Sequence, residues 1–311
     1  MNAKRLPIDS SSVPTIEDYD QRLTDNPAIQ RNESLMRLLD SQTDRHKPLV
    51  SIITVVYNGE QTIRETIESV MRQDYEPIEY IIIDGGSQDK TIQIIREYAD
   101  RVVLWLSEPD HGISDAFNRG IALSRGKYIG LINADDWYEP DTVRRVVDTF
   151  RADDQIDLVC GKLQYWRDNR KDVRFPSAPE DLGVDMTINH PTTFVSRRAY
   201  DRAGLFRLDY KYAMDYELCL RLKKHACPFI SLDAVLANMR WAGTSDRNWL
   251  RGLLEMRRAQ RDNFPGNRAF FWQFQIRFVR GVLGRALAVL GLHGILRFYR
   301  ARISRFRREF Q

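Results

Sequence analysis

Residues 49–59 read LVSIITVVYNG. Between Leu49 and Val56 the residues are aliphatic except for Ser51 and Thr54, with no charged residue on alternate positions. That is the pattern of a strand covered on both faces. It stops at Tyr57-Asn58-Gly59, a turn signal. Beyond this turn Ile63, Ile67, Val70 and Met71 recur at helical spacing over 60–72, and a second strand-like run, IEYIIID, occupies 78–84. Gly85-Gly86-Ser87 turns the chain into a predicted helix over 88–98, followed by VVLWL at 102–106, a helix over 113–124 and KYIGLIN at 127–133. This alternation predicts an α/β fold: a mostly parallel sheet with helices on both faces. Ligands of such sheets sit beyond the carboxyl ends of the strands. Here those ends read Tyr57-Asn58, Asp84-Gly85-Gly86-Ser87 and Asn133-Ala134-Asp135-Asp136.

Past Asp136 the pattern loosens. A helix over 139–151, strands over 157–165, 191–196 and 228–236 and a helix over 213–223 predict a mixed second half. A charged stretch lies at 166–185, and a helix over 246–263 ends before the linker Pro265-Gly266. Residues 1–47 are polar and weakly periodic, which predicts a loosely attached N-terminal arm with one helix near 33–39 and no chemistry.

The 311 residues are 43% hydrophobic and 29% charged, with 17 Gly and 12 Pro, which excludes collagen-like, low-complexity and wholly disordered chains. The longest uncharged apolar stretches, 48–59 and 286–296, fall short of the ~18 residues a membrane span needs. The three cysteines, Cys160, Cys219 and Cys227, have no C-x-x-C spacing and read as buried thiols. MNAKRLPIDSSSVPT lacks the apolar core of a secretory signal, so a cytoplasmic location is expected.

The net charge of +4 is unevenly placed: residues 268–311 carry ten arginines and one acid, a net of +9 that leaves −5 for the remainder. In this tail Gln273, Arg277, Arg280 and Gly284 share one helical face, leaving Phe270, Phe271, Phe274, Phe278, Val279, Val282 and Leu283 on a broad apolar one. Leu296, Tyr299, Ile303, Phe306 and Phe310 form a second stripe. Such an amphipathic, arginine-rich helical tail suits a membrane surface. Packing on protein is the alternative. Continuous apolar stripes are wasted on phosphate, so no nucleic-acid partner is expected.

Asp135 and Asp136 repel each other at the end of a buried strand. They form either a solvated turn before the next helix or part of the oxygen shell of a hard divalent cation, Mg2+ or Mn2+. Asp84 precedes small residues that permit close approach of a ligand. On the following helix Asp115, Asn118 and Arg119 share a polar face at i, i+3 and i+4. His190 reads as an acceptor or phosphate contact or as a structural histidine, while Trp137, Trp241 and Tyr138 suit stacking or packing. No G-x-G-x-x-G follows the first strand, so a dinucleotide fold of that type is unsupported.

Taken together, SIITVVYNGEQTIRETIESV, IIIDGGSQDKT and SEPDHGISDAFNRGIALSRGKYIGLINADDWYEPD resemble the family 2 glycosyltransferases, inverting enzymes of the GT-A fold. The likeness continues through HPTTF at 190–194, GLFRLDYKYAMDYELCLRL at 204–222 and AGTS at 242–245. Within the family it is most similar to bacterial enzymes of exopolysaccharide, capsule or O-antigen synthesis. The resemblance implies a domain over 48–245, with a nucleotide-binding half at 48–136 and an acceptor half at 137–245. The helix and linker at 246–267 and the tail at 268–311 follow it. It further implies that Tyr57, Asp84, Asp115, Arg119 and Asp135 serve the nucleotide, that Asp135 and Asp136 hold the metal, and that Asp215 is the catalytic base. Asn133 stands where many members carry an acid. The partners implied are a nucleotide-sugar donor and a saccharide acceptor, lipid-linked, at the cytoplasmic face of the inner membrane. A non-catalytic nucleotide-sugar binder on the same fold is the rival reading.

Overall fold

The computed structural model describes residues 12–42, 47–183, 185–241, 248–289 and 309–310. The chain runs α1 (Ile16–Leu23), β1 (Ile29–Arg31), α2 (Glu33–Gln42), β2 (Val50–Val56), α3 (Ile63–Met71), β3 (Ile78–Asp84), α4 (Thr91–Glu97), β4 (Leu104–Ser107), α5 (Ile113–Leu123) and β5 (Tyr128–Asn133). It continues through β6 (Asp136–Tyr138), α6 (Thr142–Ala152), β7 (Leu158–Arg167), β8 (Arg170–Phe175), β9 (Phe194–Ser196), α7 (Arg197–Ala203), α8 (Met214–Lys224), β10 (Phe229–Arg240), α9 (Trp249–Asn263) and α10 (Arg268–Val289).

One sheet runs β1-β4-β3-β2-β5-β9-β7-β10-β6, with β8 beside β7. The β4-β3-β2-β5 pairings are all parallel. Beyond β5 the sheet is mixed: β9 is antiparallel to both its neighbours, whereas β10 pairs β7 in parallel. Register aligns the functional ends, since Val56 lies opposite Asp84 and Val55 opposite Asn133.

The continuous aliphatic run of β2 is explained by the two layers it feeds. Ile53 and Val55 pack with Phe117 and Ile121 of α5 and Leu218 and Leu222 of α8. Val50, Ile52 and Val56 pack with Ile63 and Ile67 of α3 and Val143 and Val147 of α6 on the opposite face. Each such fully buried side chain stabilises the fold by about 1.5–3 kcal/mol. Gly120 brings α5 close to β2, because a Cβ there would lie 2.3 Å from Ile53 Cγ2.

Residues 16–42 depart from the expected loose arm. Tyr19, Leu23 and Ile29 are buried in the core beside α5, and β1 pairs antiparallel with β4 as the sheet edge. The helix expected near 33–39 is α2. The tail departs as well. Arg277, which the sequence pattern sets on the face opposite the aromatics, turns inward to pair with Asp185 at 2.7 Å. Of the predicted apolar face Phe271, Phe278, Val279, Val282 and Leu283 are exposed, Trp272 and Ile276 join them, and Phe270 is buried. The second tail stripe, apart from Phe310, and the AGTS segment lie outside the described residues. No described helix is long and apolar enough to cross a membrane.

Candidate active site

A cleft of about 1120 Å³ opens at the carboxyl end of the parallel strands. Tyr57 and Asn58 border it after β2, Asn133 and Asp135 after β5, and Asp110 and Gly112 ahead of α5. Lys211, Tyr212 and Asp215 face them from the start of α8, while Met256 of α9 and Arg277 of α10 close the far side.

The β2 and β3 turns are stitched together. Asn58, at φ 50°, donates its amide to Ser87 Oγ at 2.7 Å and accepts the Gln88 amide on Oδ1 at 2.8 Å. Asp84 is fully buried and does not border the cleft. Its Oδ2 accepts the amides of Gly86 and Ser87 at 3.0 and 2.9 Å and the Ser107 hydroxyl at 2.7 Å, and Oδ1 accepts the Ser87 hydroxyl. The carboxylate thereby fixes the turn beneath Tyr57, whose ring is 65% exposed. A Cβ on Gly85 would meet Asp110 Oδ2 at 2.7 Å, so only glycine lets these two corners approach.

Asp115 and Arg119 lie behind the cleft wall rather than in it. Arg119 donates to Asp115 at 2.9 Å and to Glu108 at 3.0 Å, and the Tyr19 hydroxyl donates to Asp115 at 2.7 Å. Burial pushes the Asp115 carboxyl up, but Arg119, Tyr19 and His111 outweigh it and hold the group below its ordinary range.

The acidic loop divides its two carboxylates. Asp135 borders the cleft, and its carbonyl accepts from Arg240 at 3.1 Å. Asp136 is sealed beneath, with Oδ2 3.5 Å from the Asn133 amide nitrogen and Oδ1 without a partner among the described residues. Asn133 Oδ1 is likewise buried and unpartnered. Burial, then repulsion by Asp135, drives the Asp136 carboxyl well above its ordinary value. Unpaired buried oxygens beside a second carboxylate are costly, and a hard cation offsets that cost. The donor set therefore fits Mg2+ or Mn2+. Among the described residues no group of three or more His, Cys, Asp or Glu side chains assembles, so other oxygens must complete the shell. Trp137 points elsewhere, into a separate groove of about 430 Å³ with Trp166 and Trp241, under the Arg240 guanidinium.

Asp215 stands in the first turn of α8 and borders both the cleft and a small pocket behind it that holds His190. Its Oδ1 accepts the Tyr216 amide at 2.8 Å. The His190 ring lies 5.2 Å from that of Phe117, with Nε2 unpartnered. Burial raises the Asp215 carboxyl against the opposing pull of His190, and burial lowers His190 against the pull of Asp215. Tyr57, Asp135 and Asp215 thus share one cleft, and His190 backs it. Sequence reasoning missed Asp110, Lys211 and Arg277 on its walls. Asp110 and Lys211 lie within quoted motifs, whereas Arg277 falls in the tail beyond them.

Residues 51–217 match the family model described as Glycosyl transferase family 2. The chain belongs to that family. An uncharacterized glycosyltransferase of Rickettsia typhi is 31% identical over 185 residues, 56% of this chain and 58% of that one. Escherichia coli chondroitin synthase is 31% identical over 208 residues, 64% of this chain and 30% of the synthase. Glycosyltransferase EpsJ of Bacillus subtilis, itself uncharacterized, is 32% identical over 187 residues, 54% of each chain. The chain thus spans well under two thirds of these relatives. The mannosyltransferase PcManGT from Pyrobaculum calidifontis, solved with GDP-Man and Mn2+, superposes with a TM-score of 0.57 at 16% identity, covering 86% of this chain and 88% of that one. S. aureus TarS gives 0.57 at 16% identity over 75% of this chain and 43% of its own. These likenesses establish the GT-A fold of this family 2 member.

Proposed function

We propose that the protein transfers a sugar from a nucleotide-sugar donor to a saccharide acceptor, with inversion at the anomeric carbon, in the synthesis of a bacterial surface polysaccharide. The observation that carries this reading is the convergence of Tyr57, Asp135 and Asp215 on one cleft. Tyr57 stacks on the nucleotide base, and Asp84, through the turn it fixes, sets that platform. Asp115 and Arg119 support the same wall from behind. Asp135, Asp136 and Asn133 would hold a divalent cation, which when bound neutralises charge on the departing diphosphate. Structural neighbours crystallised with UDP, UDP-GlcNAc, or GDP-Man and Mn2+ support a donor of this class.

Asp215 accepts the proton of the attacking acceptor hydroxyl, a contribution typically worth about 10²- to 10⁴-fold in rate. Its elevated basicity suits that task better than an ordinary surface carboxylate would. With one carboxylate on the sugar face, a single displacement inverts the configuration. His190 sits behind the base, and Trp137, turned into its separate groove, takes no part in this cleft.

A lipid-linked acceptor at the inner membrane's cytoplasmic face fits α10. One side of this helix borders the cleft through Arg277 and Gly281, and the other presents Trp272, Ile276, Val279 and Leu283. Product release from a panel of nucleotide sugars, with and without Mn2+, tests the reading. Turnover of one donor that depends on acceptor supports it, and nucleotide binding without any transfer or hydrolysis would point to a non-catalytic binder.

A further inference from the structure

The matched family region ends at residue 217, yet the loop that leads into α8 is held from beyond that boundary by α9. Glu255 of α9 reaches three consecutive backbone amides. Its Oε2 accepts from Lys211 at 3.0 Å, Tyr212 at 2.6 Å and Ala213 at 2.9 Å, and Oε1 accepts from Lys211 at 3.1 Å. Successive amides that converge in this way form a concave anion site. Here the anion is supplied by the chain itself. Further anchors follow on both sides of Asp215: Tyr210 donates its hydroxyl to Asp262 at 3.0 Å, Gln260 donates to the Tyr216 hydroxyl at 3.0 Å, and Asn263 donates to Glu217 at 3.3 Å. Asp215 itself makes no contact with α9 among these and faces the cleft.

We infer that Glu255 is a positioning residue for Asp215, a claim that rests on the proposed role of Asp215 as base. The carboxylate fixes the backbone at 211–213, two residues ahead of the base, so the direction in which Asp215 enters the cleft is set by a charge on α9. Without that charge, three amide donors at the cleft edge lie open to any anion, including substrate phosphate or the Asp215 carboxylate. Either capture would turn the base away from the acceptor hydroxyl. Misplacement by about 1 Å costs on the order of 10²-fold in rate.

The test uses the full chain and Glu255→Ala, with Glu255→Gln as a second variant that keeps the side-chain volume should the first not fold. Amide hydrogen exchange at 211–213 should accelerate in the variant and slow again on addition of formate, which refills the amide site. With the donor found by screening, kcat should fall about 10²-fold while KM for the donor changes by less than about twofold, and formate should restore part of kcat. Unchanged exchange at 211–213 would overturn the contact. Fast exchange with kcat intact, or a loss that formate never relieves, would overturn the positioning role. Asp215→Asn, assayed alongside, separates the two claims: transfer retained there defeats the base assignment, whereas the exchange result speaks only to Glu255.

Discussion

Arg119 and Asp115, one helical turn apart on α5, pair at 2.9 Å with side chains only 11% and 3% exposed. The family resemblance implied that this pair lies near the nucleotide, and the fold turns it toward Tyr19 and Glu108. Arg119→Met should therefore act on stability first. It leaves the Asp115 carboxylate sealed without its cation, and breaking such a pair from one side typically costs about 3–5 kcal/mol. An unfolding free energy lowered by that amount in denaturant melts, with nucleotide affinity in the folded protein nearly unchanged, is the expected outcome. A stable variant that has lost nucleotide binding would instead put the guanidinium at the ligand.

Asp209 gives a prediction in pH. Burial raises its carboxyl, but Arg207 and Arg258 outweigh that and leave it below its ordinary range. A group whose folded pKa is depressed contributes stability above its unfolded value, about 3.9, and loses it as pH falls through the folded value. The stability difference between the wild type and Asp209→Asn should be full above about pH 5 and vanish as the pH drops well below 4. Urea melts of both proteins across that range measure it, and a difference that persists at the lowest pH would mean the pairs act through packing alone.

For Asp215 the sign is reversed. Burial lifts its carboxyl above the ordinary value of 3.8, so the base is lost to protonation at a higher pH than an exposed aspartate would be. The acid limb of kcat/KM should accordingly lie at higher pH than an exposed aspartate would give and disappear in Asp215→Asn, along with about 10²- to 10⁴-fold of the rate. Nucleotide affinity should persist, because Tyr57 and Asp135 are untouched. An acid limb still present in the variant would assign the titration to another group.

Much of this was legible in the sequence because β2, β3 and β5 are covered on both faces, and continuous aliphatic runs have few other interpretations. That Asp135 and Asp215 reach one cleft was legible from the motifs that carry the family resemblance. The short strands β6 and β8 were not, since three to six residues with charged neighbours carry no period. Nor was the direction of α10. Phe, Trp and Val occur around most of its circumference, so only the partner, Asp185 meeting Arg277, decides which side turns inward. Asp84 shows a different limit: a strand-terminal aspartate before Gly-Gly reads alike whether its oxygens face a ligand or, as here, its own turn.

The acidic loop predicts how metal dependence should respond to charge. Asn133 Oδ1 and Asp136 Oδ1 are both buried and unpartnered, so adding a carboxylate between them and Asp135 should strengthen cation affinity. Asn133→Asp should then lower the Mn2+ concentration for half-maximal activity, and Asp135→Asn should raise it. Removing divalent ions with EDTA should inactivate the Asp135→Asn protein at the lowest chelator concentration, because it holds the cation least tightly. Identical Mn2+ titrations for all three proteins would exclude this loop as the cation site.

The two sides of α10 make separable predictions. Trp272 and Leu283 are 65% and 53% exposed, and charged residues there oppose insertion at a lipid interface. Trp272→Glu with Leu283→Glu should abolish flotation of the full chain with anionic vesicles while leaving nucleotide binding intact. Raised salt should weaken flotation of the wild type, because each arginine near an anionic surface contributes about 1 kcal/mol. Arg277 should behave in the opposite way despite its charge. Its guanidinium is committed to Asp185 and borders the cleft, so Arg277→Ala should leave flotation unchanged and alter transfer. If Arg277→Ala detached the protein from vesicles as fully as the glutamate pair does, the helix would be meeting lipid with the side now assigned to the cleft.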